Sequence, residues 1–263
     1  MSQSTTTEAR VPTTAAGTRT IRLTTAQAIT RYLAAQHSVR DGRRRRLIPA
    51  MLGIFGHGNV AGLGQALDEY QAELPFVQGR NEQSLVHIAS GYAKANRRTA
   101  ALAVTASIGP GAANMVTGAA LATVNRLPVL LFPGDTYATR RQGPVLQQLE
   151  HAMEGDASVN DCFRPVARCF DRITRPEQLL TALPEAMRVL TSPAETGAVV
   201  IALPQDVQTE AYDFPAGSSR SPTRRPRWRA RAAGVPGPAA AWRRCRRGTA
   251  ARGAGSPSPA RGM

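Results

Sequence analysis

Glu82 stands where a short apolar run, LPFVQG (74–79), gives way to a helical pattern, EQSLVHIASGYAKAN (82–96). A carboxylate there has two uses. It can satisfy the positive end of the helix dipole. In a closed pocket it can instead trade a proton with a ligand or hold it by a strong hydrogen bond. A second constellation is SIGPGAAN (107–114), in which two glycines and a proline precede a helix of small residues. Gly109 and Gly111 allow close backbone approach, and Pro110 opens a helix whose first amides are free for a ligand. The stretch lacks the GK[ST] of a Walker loop and the spacing of GxGxxG. A third, GHGN (56–59), reads as a turn whose His57 either contacts a ligand or is solvated. His87 lies one turn beyond Gln83 and is as readily structural. The chain has no HExxH, GxSxG or paired Cys/His arrangement, so metalloprotease and α/β-hydrolase chemistry lack support, and no metal ligands are assigned.

These residues need a frame to bring them together. Thr24 or Thr25 can cap a helix over AQAITRYLAAQ (26–36). DGRRRR (41–46) reads as a solvated basic loop and not as a binding patch. Apolar runs at 52–56, 74–79, 100–104, 127–132 and 197–203 read as strands. Helical patterns cover GLGQALDEY (62–70), 82–96, GAANMVTGAALATVN (111–125) and PEQLLTALPEAMRVL (176–190), the last with a bend expected at Pro184. Strands of about five residues alternating with longer helices imply βαβ units. The fold class is therefore α/β: a parallel sheet flanked by helices on both faces, with disordered termini. Ligands of such sheets sit at the carboxyl ends of the strands. GHGN, RNE (80–82), SIGPGA and PGD (133–135) all fall there.

Composition narrows the partners. The chain has 263 residues, 42% of them apolar, and a net charge of +15. Residues 217–263 hold 12 Arg and no acidic residue, which leaves 21 basic and 18 acidic side chains, or +3, in residues 1–216. The charge belongs to one segment. In that segment Arg, Ala, Gly and Pro make up 35 of 47 residues, while Leu, Ile, Phe and Tyr are absent. Such a stretch cannot bury enough apolar surface to offset its ordering entropy. It is expected to be disordered, and one Lys (Lys94) against 32 Arg points to a GC-rich gene read out of frame. The competing reading is an Arg-rich arm that binds nucleic acid. Residues 1–20 are expected to be a disordered tail and 21–216 the domain. Residues 1–20 show no apolar core of a secretory signal, and no run is long enough for a membrane helix. Cys162, Cys169 and Cys245 are odd in number and widely spaced, which fits a reduced, cytoplasmic setting better than a disulfide framework or zinc.

Taken in order, IFGHGN, VQGRNEQSLVHIASGYAKA and TASIGPGAANMVTGAALATVNRLPVLLFPGD resemble the pyrimidine-binding domain of thiamine diphosphate enzymes of the acetolactate synthase and pyruvate oxidase group. The resemblance covers about residues 21–214. Within the group, RLTTAQA (22–28), IFGHGNVAGLGQAL (54–67), PVLQQLEH (144–151), FDRITRPEQL (170–179) and ALPQDVQTEAYDF (202–214) are most similar to the branch that hydrolyses a polyhydroxylated cyclic diketone in inositol catabolism.

The resemblance implies that Glu82 is the glutamate that hydrogen-bonds the aminopyrimidine ring of thiamine diphosphate and helps the cofactor lose its reactive proton. It implies that Gly58, Asn59, Gly109, Pro110 and Asn114 line the cofactor pocket, with His57 and Gln148 as candidates for substrate hydroxyls. Family members add a second cofactor domain whose G-D-G…N motif holds Mg2+ and the diphosphate. GDT (134–136) and GDA (155–157) do not match it, so only the pyrimidine end of the cofactor is expected on this chain. Members form homodimers or tetramers, with each site shared between subunits, so this chain alone is expected to lack turnover. The open alternatives are an acetolactate synthase-like enzyme, a non-catalytic docking module and a nucleic-acid binder acting through the tail.

Overall fold

The computed structural model describes residues 19–216, apart from 141, 142, 144, 152 and 154–156. The Arg-rich segment 217–263, Cys245, Pro144 and part of GDA (155–157) lie outside the described residues. In chain order the elements are β1 (Thr20–Thr24), α1 (Thr25–Ala35), β2 (His37–Arg40), β3 (Arg43–Arg46), β4 (Met51–Gly53), a π-helical turn (Val60–Gly64), α2 (Gln65–Glu69), β5 (Phe76–Gln78) and α3 (Glu82–Ala95). There follow β6 (Ala103–Ala106), α4 (Pro110–Ala113), α5 (Val116–Val124), β7 (Val129–Asp135), a 3-10 turn (Val159–Phe163), β8 (Cys169–Arg172), α6 (Leu179–Thr191), β9 (Ala198–Pro204), α7 (Gln205–Gln208) and β10 (Ala211–Pro215).

Six strands form one parallel sheet in the order β5-β4-β6-β7-β9-β8. Every residue of β7 and β9 is buried. An apolar strand with no polar face needs cover on both sides, and it has it. Met51, Ala103, Leu130, Phe132, Val199 and Ile201 pack into one layer with α1, α2 and α6. Their neighbours Leu52, Val104, Leu131 and Val200 pack into the other, with α3 and α5. The expected α/β architecture is the one observed.

Local chemistry explains the helix starts. The Thr24 hydroxyl accepts from the Gln27 amide at 3.2 Å, and the Gln27 side chain accepts from the Thr24 amide at 2.9 Å. This reciprocal pair closes a capping box. Helix α6 runs on through Pro184. Two short strands, β1 and β10, pair antiparallel outside the main sheet. Thr20, the last residue of the expected N-terminal tail, already stands in β1.

Several expectations are corrected. Residues 41–46 are no loop: Arg43–Arg46 pairs with His37–Arg40 as a hairpin. Asp41 and Gly42 both have positive φ, 51° and 76°, the backbone that a tight two-residue Asp-Gly turn requires. The helix expected at 111–125 is two, broken at Asn114 and Met115, where ψ flattens to −14° and −15°. The helix expected from Gly62 begins as the π turn at Val60. Strands β1, β8 and β10 were not anticipated, because their Thr, Arg and Asp residues hide any apolar run.

Candidate functional site

Strand order reverses at β4, which has β5 on one side and β6 on the other. Loops leaving the carboxyl ends of β4 and β6 part there and open a crevice, the position where open parallel sheets bind ligands. The stretches singled out in the sequence meet at this point. The Ile108 amide donates to the His57 carbonyl at 3.0 Å. A Cβ on Gly134 would lie 3.1 Å from the Ile108 nitrogen and 3.2 Å from the Gly58 carbonyl oxygen. Glycines at these positions let three loops touch backbone to backbone.

Glu82 is the first residue of α3, half-buried, behind the N-cap Asn81, whose side chain accepts from the Ser84 amide at 2.9 Å. Its Oε2 accepts from Asn114 Nδ2 at 2.8 Å. Its Oε1 faces Gly111, where an added Cβ would come within 3.2 Å of it and would strike Ser107. The break between α4 and α5 falls at Asn114, whose side chain lies against the carboxylate. Helix α4 starts from Gly109, whose φ of 66° is costly for any side chain and whose Cβ would collide with the Gln147 carbonyl. Pro110 follows at the exposed first position of α4.

The residues of GHGN divide. Gly58 is buried with φ 98°. Asn59 is 2% exposed and turns inward. Its Oδ1 accepts from the Gly56 amide at 2.9 Å, and its Nδ2 donates to the Ile54 carbonyl at 3.1 Å and to Thr105 Oγ1 at 3.2 Å. This side chain is spent on holding the loop and has no amide proton or oxygen facing the crevice uncommitted. The His57 amide donates to Gln147 Oε1 at 3.2 Å, while its Nδ1 is buried without a partner. Gln148 is half-buried, and its Oε1 is likewise without a partner. His87 pairs with Gln83 at 3.2 Å along α3 and borders a separate groove of about 750 Å3 between α3 and α5.

Among the described residues, four buried side-chain atoms have no hydrogen-bond partner: His57 Nδ1, Gln148 Oε1, Asn160 Oδ1 and Gln205 Oε1. All four follow the carboxyl ends of β4, β7 or β9. A buried polar atom left unpaired costs roughly 1–3 kcal/mol, so their clustering at one end marks where solvent or a ligand must supply partners.

Sequence reasoning missed two residues here. Gln147, not its neighbour Gln148, reaches His57 and covers Gly109; its φ of 65° turns the chain in a way no residue type announces. Gln208, 1% exposed, donates to the Gly58 carbonyl at 2.5 Å and to the Leu203 carbonyl at 3.0 Å, and accepts from the Leu63 amide at 3.1 Å. It clamps the π turn against the end of β9. Its only signal was a Gln after an apolar strand.

The neighbouring end of β7 is built differently. Buried Asp135 accepts from Arg172 Nε at 2.7 Å and from Ser158 Oγ at 2.5 Å. Arg172 also reaches Asp161 at 3.3 Å. Burial pushes the Asp161 carboxyl up, but the Ser158 amide and the Arg164 and Arg172 guanidiniums outweigh it and hold the group below its usual range. Burial likewise pushes Asp206 up, and the Thr139 hydroxyl with the amides of Ala138, Thr139 and Val207 brings it below its usual range. Burial raises both the Cys162 and the Cys169 thiol, which suits packing better than nucleophilic attack. Among the described residues no three His, Cys, Asp or Glu side chains converge as a metal site, and no helix is long and apolar enough to cross a membrane.

Residues 49–157 match the family model of the thiamine pyrophosphate enzyme N-terminal TPP binding domain. The chain is 58% identical over 196 residues to the 3D-(3,5/4)-trihydroxycyclohexane-1,2-dione hydrolase of Geobacillus thermodenitrificans (strain NG80-2), an alignment covering 74% of this chain and 31% of that protein. It is 55% identical over 197 residues to the protein of the same name from Bacillus thuringiensis (strain Al Hakam), covering 75% of this chain and 31% of the relative. The chain thus spans about a third of the length of the curated relatives it matches.

Proposed function

We propose that this chain, whose residues 49–157 match the family model of the thiamine pyrophosphate enzyme N-terminal TPP binding domain, holds the pyrimidine end of thiamine diphosphate in the β4–β6 crevice. We propose further that it serves the hydrolytic carbon–carbon cleavage of 3D-(3,5/4)-trihydroxycyclohexane-1,2-dione, the substrate class in its relatives' name. The observation that carries the reading is the carboxylate of Glu82, fixed by Asn114 through Oε2 at 2.8 Å while Oε1 lies beside the backbone of Gly111, where no side chain fits between it and Ser107.

Thiamine diphosphate, when bound, supplies the carbon nucleophile that adds to a ketone carbonyl. The chain's own residues bind and orient. Asn114 sets the rotamer of Glu82, so that a proton can be held or released at Oε1. Gly109 and Gly111 admit close approach, Pro110 starts the helix that carries Asn114, and Gly58 and Asn59 shape the opposite wall. His57 Nδ1 and Gln148 Oε1, unpartnered in the fold, are suited to the hydroxyls of a polyhydroxylated ring. Mg2+ and the diphosphate are assigned to protein beyond this chain's crevice. A homodimer or tetramer is the expected assembly, and the exposed Ile88, Leu121 and Val124 on α3 and α5 are the apolar surface it would cover. The odd number and wide spacing of the cysteines accord with a reducing, cytoplasmic setting, and the Arg-rich segment 217–263 with a shifted reading frame, which sequencing the gene in all three frames would test.

Calorimetric titration of the chain with thiamine diphosphate tests the core of this reading. Saturable binding that is lost in Glu82→Gln, with the melting temperature unchanged, is the expected result. Equal binding by both proteins would refute the role of Glu82. Product analysis of the full-length enzyme that contains this domain addresses the substrate: an open-chain acid from the cyclic diketone is expected, whereas acetolactate from pyruvate would favour the acetolactate synthase-like alternative.

A further inference from the structure

The hairpin β2–β3 carries a second feature, remote from the crevice and independent of its reading. Its register sets Arg40 opposite Arg43 and Ser38 opposite Arg45. Side chains alternate along a strand, and cross-strand partners share a face. Ser38, Arg40, Arg43 and Arg45 therefore project on one side of the hairpin. That side meets the end of α3. The Ser38 hydroxyl donates to the Thr99 carbonyl at 2.5 Å, and Arg40 Nη1 donates to the Arg97 carbonyl at 3.3 Å. Between hairpin and helix end lies a cleft of about 520 Å3 lined by Arg40, Arg43, Arg45 and Arg97.

Four guanidiniums share this cleft with one carboxylate. Asp41 stands 3.8 Å from Arg40 Nε, and its side chain is 87% exposed. Such an open pair contributes little. Among the described residues, Arg43, Arg45 and Arg97 have no acidic partner within ion-pair distance. Like charges directly opposite on a hairpin repel, and Arg97 adds backbone strain. It ends α3 with φ 53°, followed by Arg98 at 60°. Glycine fills such helix ends at no steric cost, whereas a side chain there costs about 1 kcal/mol. Repulsion and strain thus coincide in one cleft, where the amides of Arg97 and Arg98 bond to the Lys94 and Ala93 carbonyls at the helix end.

We propose that this cleft is an anion site for a di- or triphosphate chain. The net charge of its lining, three positive after Asp41, matches such an anion, and Arg forks pair with phosphate oxygens. The lining holds no aromatic ring, so nothing stacks on a nucleobase. The phosphate chain itself is what is recognised, whether it comes as inorganic triphosphate or as the phosphates of a nucleotide.

Titration of the full chain with inorganic triphosphate and with ATP, at physiological salt without Mg2+, provides the test. Arg45→Ala/Arg97→Gly is compared with Arg44→Ala/Arg31→Ala, which removes the same charge outside the cleft. Segment 217–263 is identical in all these proteins, so any anion binding of its own cancels. The expected result is one saturable site, weakened about tenfold or more in the cleft variant, as the loss of charge-assisted hydrogen bonds implies, and left within about twofold in the other. ATP and triphosphate are expected to bind alike. Equal weakening in both variants would reduce the cleft to a diffuse basic surface and overturn the proposal. So would binding of ATP without triphosphate. Arg97→Gly alone is expected to raise the melting temperature without ligand and to shrink the gain on adding triphosphate; a lower melting temperature would remove the strain argument.

Discussion

Two neighbouring ends of the same sheet use polar groups in opposite ways. At β7, Asp135, Arg172, Ser158 and Asp161 satisfy one another, and the 3-10 turn is tied to the strand. At the β4–β6 crevice, Glu82 is held by Asn114 at Oε2 with Oε1 beside Gly111, and His57 Nδ1 has no partner. Both regions lie at carboxyl ends, and both bury charge or polarity. The contrast lies in the charged groups, since Asn160 Oδ1 in the 3-10 turn is also without a partner. A network that spends its polar atoms is architecture; a carboxylate held by one bond is an instrument.

Mutations can break or sharpen that contrast. The largest effect is expected from Asp135→Ala, which removes the acceptor of both Arg172 Nε and Ser158 Oγ and leaves Arg172 only its longer bond to Asp161; it should lower unfolding free energy by about 3 kcal/mol, read by urea denaturation. Gly109→Ala should come next, at about 2 kcal/mol, from a forbidden φ and collision with Gln147; a melting curve measures it, and thiamine diphosphate binding should fall as well. Asn114→Ala should cost only about 1 kcal/mol of stability, yet weaken thiamine diphosphate binding about tenfold by freeing Glu82. Should Asn114→Ala destabilise as much as Asp135→Ala, the distinction between the two ends collapses. The smallest effect concerns acid. Asp161 and Asp206 titrate below their ordinary value of 3.8 in the folded protein. Their contribution is complete above that value and is lost as pH falls below it. Stability measured from pH 5 to pH 2 should decline less steeply in Asp206→Asn than in the parent protein.

Much of this was legible in residue order. Alternating apolar runs and helical patterns specify the parallel sheet, because runs such as LPVLLF have no polar face to show to water. Glu82, SIGPGA and GHGN could be placed at strand ends for the same reason. Reach was not legible. Asn59 and Asn114 are the same residue type in similar loops, but one turns inward to Thr105 and the other onto Glu82, and backbone angles alone decide. Nor does type distinguish Gln147 from Gln148. The hairpin at 37–46 is a different failure. Asp41-Gly42 was a readable turn signal, and the arginine run around it drew the reading toward a solvated loop.

The β1–β10 ribbon has a practical corollary for protein engineering. Thr20 lies opposite Pro215, so the chain enters and leaves at one point, with those Cα atoms about 5 Å apart. A few-residue linker could join position 216 to position 19, and new termini could be cut at the Asp41-Gly42 turn. The circularly permuted molecule would keep every sheet contact, and the crevice could be displayed from whichever termini an experiment needs.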